Sequence, residues 1–340
     1  DDEELIDNWS SQDPGDTFFS MGSKPKRGQI TLKSGKEYSI KVEYKWEGRF
    51  PAVQIGMLAP DDHDLMDAAV ALAQKSDATI LIVGTNSDWE TEGNDRDSLQ
   101  LPLRQNELIE KVCTANKNTV VVLNTGAPCE MPWNDQVDAI LQCWFPGQEF
   151  GNSLADIIFG DVNPSGKLPT TFPVKLEDTP AYSTYPGKDL QMDYQEGLYI
   201  GYRWYEKEKI VPLYPFGHGL SYTTFDYSNV RAIPPKGTSS VAAFELEITN
   251  TGSTEGKEVI QCYSSVQNSK VDRPLKELKK FQKINLDPGE SKKISFEVNE
   301  RDLSYWNEET KTWQVEPAQY VFEFGSSSSD IRGSAEVWLG

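Results

Sequence analysis

A chain of 340 residues with 37% hydrophobic and 11% aromatic content has apolar material for two or three cores rather than one. Its formal net charge of -20, from 53 acidic against 33 basic residues, repels phosphate backbones and anionic lipid, which weighs against nucleic acid and membrane surfaces as partners. No apolar run approaches the roughly 20 residues that cross a bilayer, and the opening "DDEELIDNWSSQ" has neither the basic start nor the apolar centre of a signal peptide.

In chain order, the first expected element is β structure within residues 1–58. "RGQITLKSG" and "KEYSIKVEYKW" alternate with period two around the turn signal Ser34-Gly35. Two strands make no stable sandwich alone, so the chain is expected to begin inside a domain. From Pro60 the period changes. In "DDHDLMDAAVALAQKS", Leu65, Ala69, Leu72 and Ala73 place an apolar stripe on a helix whose leading aspartates suit the positive end of its dipole. "ATILIVG" follows, a continuous apolar run typical of a strand buried on both faces.

The alternation continues with a helix in "LRQNELIEKVCTANK", where Leu108, Ile109 and Val112 share a face. Then come strands in "TVVVLNTG" and "DAILQCWFPG" and a helix in "EFGNSLADIIFGD". Buried strands alternating with amphipathic helices predict a largely parallel sheet with helices on both faces, whose chemistry gathers at the carboxyl ends of the strands. Residues 174–223, rich in Pro, Gly and Tyr, predict a long connection wrapped over the surface. After it, "VAAFELEITNTGSTEGKEVIQCYSSV", "KKISFEVN" and "AQYVFEFGSSSSDIRGSAEVWL" have the rhythm of an immunoglobulin-like or fibronectin-type sandwich, with "SSSS" as a short polar turn.

The four cysteines, Cys113, Cys129, Cys143 and Cys262, lack C-x-x-C spacing and are expected as buried free thiols. With His63 and His218 the only histidines, a structural zinc site is not expected.

The strongest chemical candidate is "NSDWETEGNDRDSLQLP", where Asp88, Glu90, Glu92, Asp95 and Asp97 crowd together directly after "ATILIVG". Glycoside hydrolysis needs two carboxyl groups across the scissile bond, one protonated and one ionised. Crowded carboxylates favour a protonated member, and a neighbouring Arg96 favours an ionised one. Composition alone leaves the loop readable as merely solvated. Other candidates are weaker. Ser221 near His218 in "GHGLSY" lacks an orienting acid, and "GDVNPSGKLP" lacks the upstream glycine of a phosphate loop. The aromatics of "YIGYRWYEK" suit either a sugar subsite or the anchoring of the connection to a core.

"SDWETEGNDRDSLQLP", "NTVVVLNTGAPCEMPW", "ILQCWFPGQEFGNSLADIIFGDVNPSGKLPTTFP", "YPFGHGLSYTTFDYS" and "RDLSYWNEETKTWQVEPAQY" occur in the order found in the C-terminal half of glycoside hydrolase family 3 β-glucosidases. The chain resembles that family over essentially its whole length. The resemblance implies a remnant of an inserted protective-antigen-type β-sandwich at 1–58. A flavodoxin-like α/β sandwich domain with its wrapping linker would follow at 59–223, and a fibronectin type III-like β-sandwich at 224–340.

It also implies a general acid/base on the acidic loop, placed by motif at Glu92, with Glu90 as nearest competitor. Gly93 would permit the backbone turn that aims the side chain, Asp95 and Arg96 would form a loop-fixing ion pair, and Trp89 would border the aglycone. Ser87-Asp88-Trp89 resembles the family's nucleophile motif, but it follows an α/β-domain strand, whereas the family nucleophile comes from a (β/α)8 barrel. That barrel is expected outside this chain and is its implied partner. The implied activity is retaining hydrolysis of terminal β-D-glucosyl residues from cello-oligosaccharides or other β-glucosides, without metal or organic cofactor. A homo-oligomer is compatible with it. The alternative is a non-catalytic carbohydrate-binding or assembly fragment. The sequon Asn8-Trp9-Ser10 permits secretion and family habit favours an extracellular location, while the unpaired cysteines equally suit a reducing compartment.

Overall fold

The computed structural model describes residues 3–15, 21–46, 52–57, 65–93 and 95–340. The chain divides into two compact units, Asp1–Ala127 with Met131–Phe145, and Pro128–Glu130 with Pro146–Gly340.

The first unit is built on a parallel sheet. Helix α1 (Leu65–Ala73) leads into strand β1 (Thr79–Gly84), helix α2 (Gln105–Ala115) crosses to β2 (Thr119–Asn124), and β3 (Ala139–Gln142) follows. The strand order is β1-β2-β3, with Thr79 beside Thr119 and Val120 beside Ala139. The β-branched run of β2 occupies the centre, and Val121, Val122 and Leu123 are fully buried. Ile109, Val112 and Cys113 form the buried face of α2, which packs on β2, while α1 packs against α2. At the exposed start of α2, Arg104 and Lys111 flank Glu107 and hold its carboxyl at a pKa of about 2.

Two expectations change here. Ile80 and Ile82 are 46% and 52% exposed, so β1 is not buried on both faces. It is an edge strand, and the helical cover is centred on β2. On α1 the packed residues are Met66 and Ala73, whereas Leu65 and Leu72 face solvent. The stripe is rotated from the one the leucines suggest because Met66, one position on from Leu65, reaches α2, where Arg104 Nη2 lies 3.5 Å from its sulfur. The aspartates expected at the helix start, together with His63, lie outside the described residues.

In the N-terminal segment the turn forms and the ladder does not. Lys36 N–H donates to the Lys33 carbonyl across Ser34-Gly35, and Pro14 bridges Ser23, yet residues 24–33 and 36–46 hold no strand. Ile30, Leu32, Ile40, Val42 and Trp46 are all at least half exposed. The apolar side chains of this segment stay largely exposed, and an isolated hairpin is marginal in water.

The second unit is dominated by a β-sandwich. One sheet runs β12-β11-β6-β7 and the other β4-β5-β8, from β4 (Phe225–Ile233), β5 (Ser240–Asn250), β6 (Gly256–Val266), β7 (Glu277–Leu286), β8 (Ser291–Asn299), β11 (Ala318–Gly325) and β12 (Ile331–Leu339). The expected alternation appears as burial: Phe244, Leu246 and Ile248 of β5 face Tyr320, Phe322 and Phe324 of β11 across a core that also holds Ile260, Cys262, Phe296 and Val298. The Phe244 and Phe322 rings lie 4.3 Å apart. A short hairpin pairs β9 (Tyr305–Asn307) with β10 (Thr312–Gln314).

Helices α3 (Phe150–Phe159) and α4 (Tyr202–Glu208) belong to the same unit, as does the irregular stretch between them. Ion pairs tie this stretch and α4 to the sandwich. Lys167 Nζ lies 3.1 Å from the buried Glu258 carboxylate, Arg203 pairs with Glu277, and Lys276 pairs with Glu206. The "SSSS" turn is not a surface feature, because Ser326, Ser327 and Ser328 are buried and Ser328 N–H donates to the Phe216 carbonyl.

Candidate active site

The carboxyl ends of β1 and β2 are tied into a rigid platform. The side-chain amide of Gln105 accepts from Gly84 N–H at 2.7 Å and donates to Gly84 C=O at 2.9 Å, pinning the last residue of β1. A Cβ at Gly84 would lie 2.1 Å from the Asn124 carbonyl oxygen, so only glycine lets β1 and β2 close here. Gln142, at the end of β3, donates to the Thr125 carbonyl at 3.1 Å.

The acidic loop leaves this platform at Thr85 and turns at once. Trp89 and Glu90 N–H groups donate to the Asn86 carbonyl, and Asp88 N–H donates to Asn86 Oδ1. A second turn places Gly93 at φ +87°, the left-handed conformation that glycine was expected to supply.

The two glutamates occupy different environments. Glu90, its side chain 14% exposed, is held from three directions. Thr85 Oγ1 donates to Glu90 Oε1 at 2.5 Å, Gly126 N–H donates to the same oxygen at 3.0 Å, and Arg96 Nη1 lies 3.9 Å away. Glu92 is exposed, as are Asp88, Asp95 and Asp97. Trp89 is 38% exposed. The ion pair of Arg96 therefore runs to Glu90, not to Asp95 as the sequence suggested. The reason is geometric: the turn at 86–90 folds Glu90 back under the loop, where the half-buried guanidinium meets it.

The remaining sequence candidates are occupied structurally. Ser221 Oγ donates to Asn163 Oδ1 at 2.9 Å, and the His218 ring stacks on Tyr214, with burial pushing its pKa down. Lys167 donates to the Gly219 carbonyl at 2.9 Å besides pairing with Glu258. Of the aromatic group, Tyr202 stacks on Phe216 and accepts from Leu278 N–H, Trp204 donates to the Asp178 carbonyl, and Tyr205 is buried. These side chains anchor the connection. All four cysteines are free thiols, three of them buried, and burial raises the pKa of Cys113, Cys143 and Cys262.

Sequence reasoning missed Thr85 and Gly126 as partners of Glu90. The available signal was positional, since Thr85 and Gly126 lie one and two residues beyond the ends of adjacent parallel strands.

The model of the glycosyl hydrolase family 3 C-terminal domain matches residues 15–222, and that of the fibronectin type III-like domain matches residues 258–328. A β-glucosidase of Kluyveromyces marxianus is 43% identical over 97% of this chain and 40% of its own length, and one of Rhizobium radiobacter is 38% identical over the whole chain and 43% of its length. The crystal structure of the Kluyveromyces marxianus β-glucosidase in complex with glucose superposes with a TM-score of 0.78 at 43% identity, over 84% of this chain and 34% of that one. A Bifidobacterium adolescentis β-glucosidase superposes equally well, TM-score 0.78 at 40% identity, over 83% of this chain and 42% of that one. The chain thus spans about 40% of the length of the curated relatives it matches. It belongs to glycosyl hydrolase family 3, of which it carries the C-terminal domain followed by a fibronectin type III-like domain.

Proposed function

We propose that this chain supplies the general acid/base of a retaining β-glucosidase, that Glu92 is that residue, and that a (β/α)8 barrel carrying the nucleophilic aspartate is contributed by a part of the enzyme beyond this chain. The carrying observation is the contrast between the glutamates. Glu90 Oε1 accepts from Thr85 and Gly126 and faces Arg96, so that oxygen is committed to the strand ends, while Glu92 stands exposed two residues on, beside the left-handed Gly93. The naming of relatives as β-glucosidases along nearly the whole chain supports this reading over that of a non-catalytic accessory fragment.

In the proposed reaction the protonated Glu92 donates to the glycosidic oxygen of a terminal β-D-glucosyl unit as the aspartate attacks the anomeric carbon. The resulting carboxylate then removes a proton from the water that releases glucose from the aspartyl ester. A retaining mechanism places the two carboxyl groups about 5 Å apart. Trp89 borders the aglycone, and cello-oligosaccharides and other β-glucosides are the substrate class. On this reading residues 1–58 belong to an inserted sandwich, 59–223 to the α/β domain with its connection, and 224–340 to the fibronectin type III-like domain.

The test is Glu92→Gln in an enzyme carrying this chain together with the barrel. Removing a general acid costs about 10²–10⁴-fold where the leaving group needs its proton. The kcat/KM for cellobiose is expected to fall in that range, and kcat/KM for a dinitrophenyl glucoside, which reports only the step in which its phenolate leaves unaided, much less. An equal loss on both substrates would count against Glu92.

A further inference from the structure

We propose that Glu90 is a positioning residue for the reaction, a carboxylate clamp that sets the acid/base loop against the ends of two strands; this rests on Glu92 being the acid/base. One oxygen of Glu90 is shared by a hydroxyl from the end of β1 and a backbone N–H from the end of β2, at 2.5 and 3.0 Å. The loop is thereby tied to two neighbouring parallel strands through a single carboxylate. Thr85 is 8% exposed, so its hydroxyl is drawn away from water and directed to this bond. Arg96, 15% exposed at its side chain, returns from the far side of the loop to place its charge 3.9 Å from the same oxygen.

The space around the clamp is fitted as well. A Cβ at Gly126 would lie 2.5 Å from Glu90 Oε2 and 2.5 Å from the Phe145 ring, so the absence of a side chain there is what admits the carboxylate. Hydroxyl, amide, guanidinium and glycine converge on one side chain, and that side chain lies two residues from Glu92. With only Thr91 between them, the clamp fixes where Glu92 begins. Displacing a reacting group by about 1 Å costs about 10²-fold in rate.

The experiment compares Glu90→Ala, Glu90→Gln, Thr85→Val and Glu92→Ala in the same barrel-containing enzyme, using cellobiose, a dinitrophenyl glucoside and added azide. Glu90→Ala is expected to lower kcat/KM on cellobiose by about 10²-fold and on the dinitrophenyl glucoside by far less, because in the glucosyl-transfer step a displaced acid matters only where the leaving group needs its proton. Glu90→Gln keeps a carbonyl oxygen for Thr85 and Gly126 and is expected to recover most of that loss. Thr85→Val removes one donor and should fall between the two, and it carries the test if Glu90→Ala does not fold. Azide should accelerate only Glu92→Ala, where a missing carboxylate leaves room for the anion at the glucosyl ester.

Equal losses on both substrates in Glu90→Ala and Thr85→Val, or no recovery in Glu90→Gln, would overturn the positioning role and leave the Glu92 assignment standing. Azide rescue of Glu90→Ala would overturn both, by making Glu90 the proton donor. Absence of a leaving-group effect in Glu92→Ala would overturn the functional reading and the positioning role that rests on it.

Discussion

In the β-sandwich unit, Glu258 is 5% exposed and is met by Lys167 at 3.1 Å; in the acidic loop of the α/β unit, Glu92 stands in solvent while its neighbour Glu90 takes the contacts. The first carboxylate is fixed because a buried charge without a partner costs several kcal/mol. The second is left open, and an open carboxylate beside a rigid one contributes little to the fold and is available to a substrate. Stability and chemistry thus fall on different residues of similar type, and each side of that contrast can be broken separately.

The largest effect is expected in the sandwich core. Phe324→Ala removes a ring that contacts Phe244 and Phe296 at zero exposure, and should cost about 3–5 kcal/mol in denaturant unfolding. Lys167→Met leaves the buried Glu258 with the Val259 N–H but without its cation and should cost about 3 kcal/mol, with the midpoint shifting and the slope retained. A smaller, pH-dependent effect belongs to His218. Burial lowers its folded-state pKa below the unfolded value, so the unfolded chain binds the proton first and stability falls as pH drops below about 6.5. Thermal melts of His218→Phe should show a shallower decline through that window than the parent chain. The smallest effect is expected from Glu92→Gln, within about 0.5 kcal/mol of the parent in unfolding, as for any exposed side chain.

The sandwich was legible because its burial is periodic: the apolar positions of β5, β8 and β11 are those that alternation marks. β7 was harder to read, since "ELKKFQKINL" carries lysines through the strand and leaves Phe281 68% exposed. In the α/β unit the helices and parallel strands followed from period, but which face each element buries depended on neighbours remote in sequence, hence the rotated stripe of α1 and the exposed side of β1. The N-terminal alternation shows that a strand pattern needs a partner surface before it becomes a strand.

For the loop, composition could say only that carboxylates are crowded; the motif pointed to Glu92. The role of Glu90 was not readable. Its partners lie five positions before it and 36 after it, and only the pairing of β1 with β2 brings Thr85 and Gly126 to one oxygen.

The most direct measurement is the product formed when azide is given to Glu92→Ala and to Glu90→Ala enzymes turning over a dinitrophenyl glucoside. The account predicts β-glucosyl azide from the Glu92 variant and only glucose from the Glu90 variant. β-Glucosyl azide from the Glu90 variant, with none from Glu92→Ala, would contradict it.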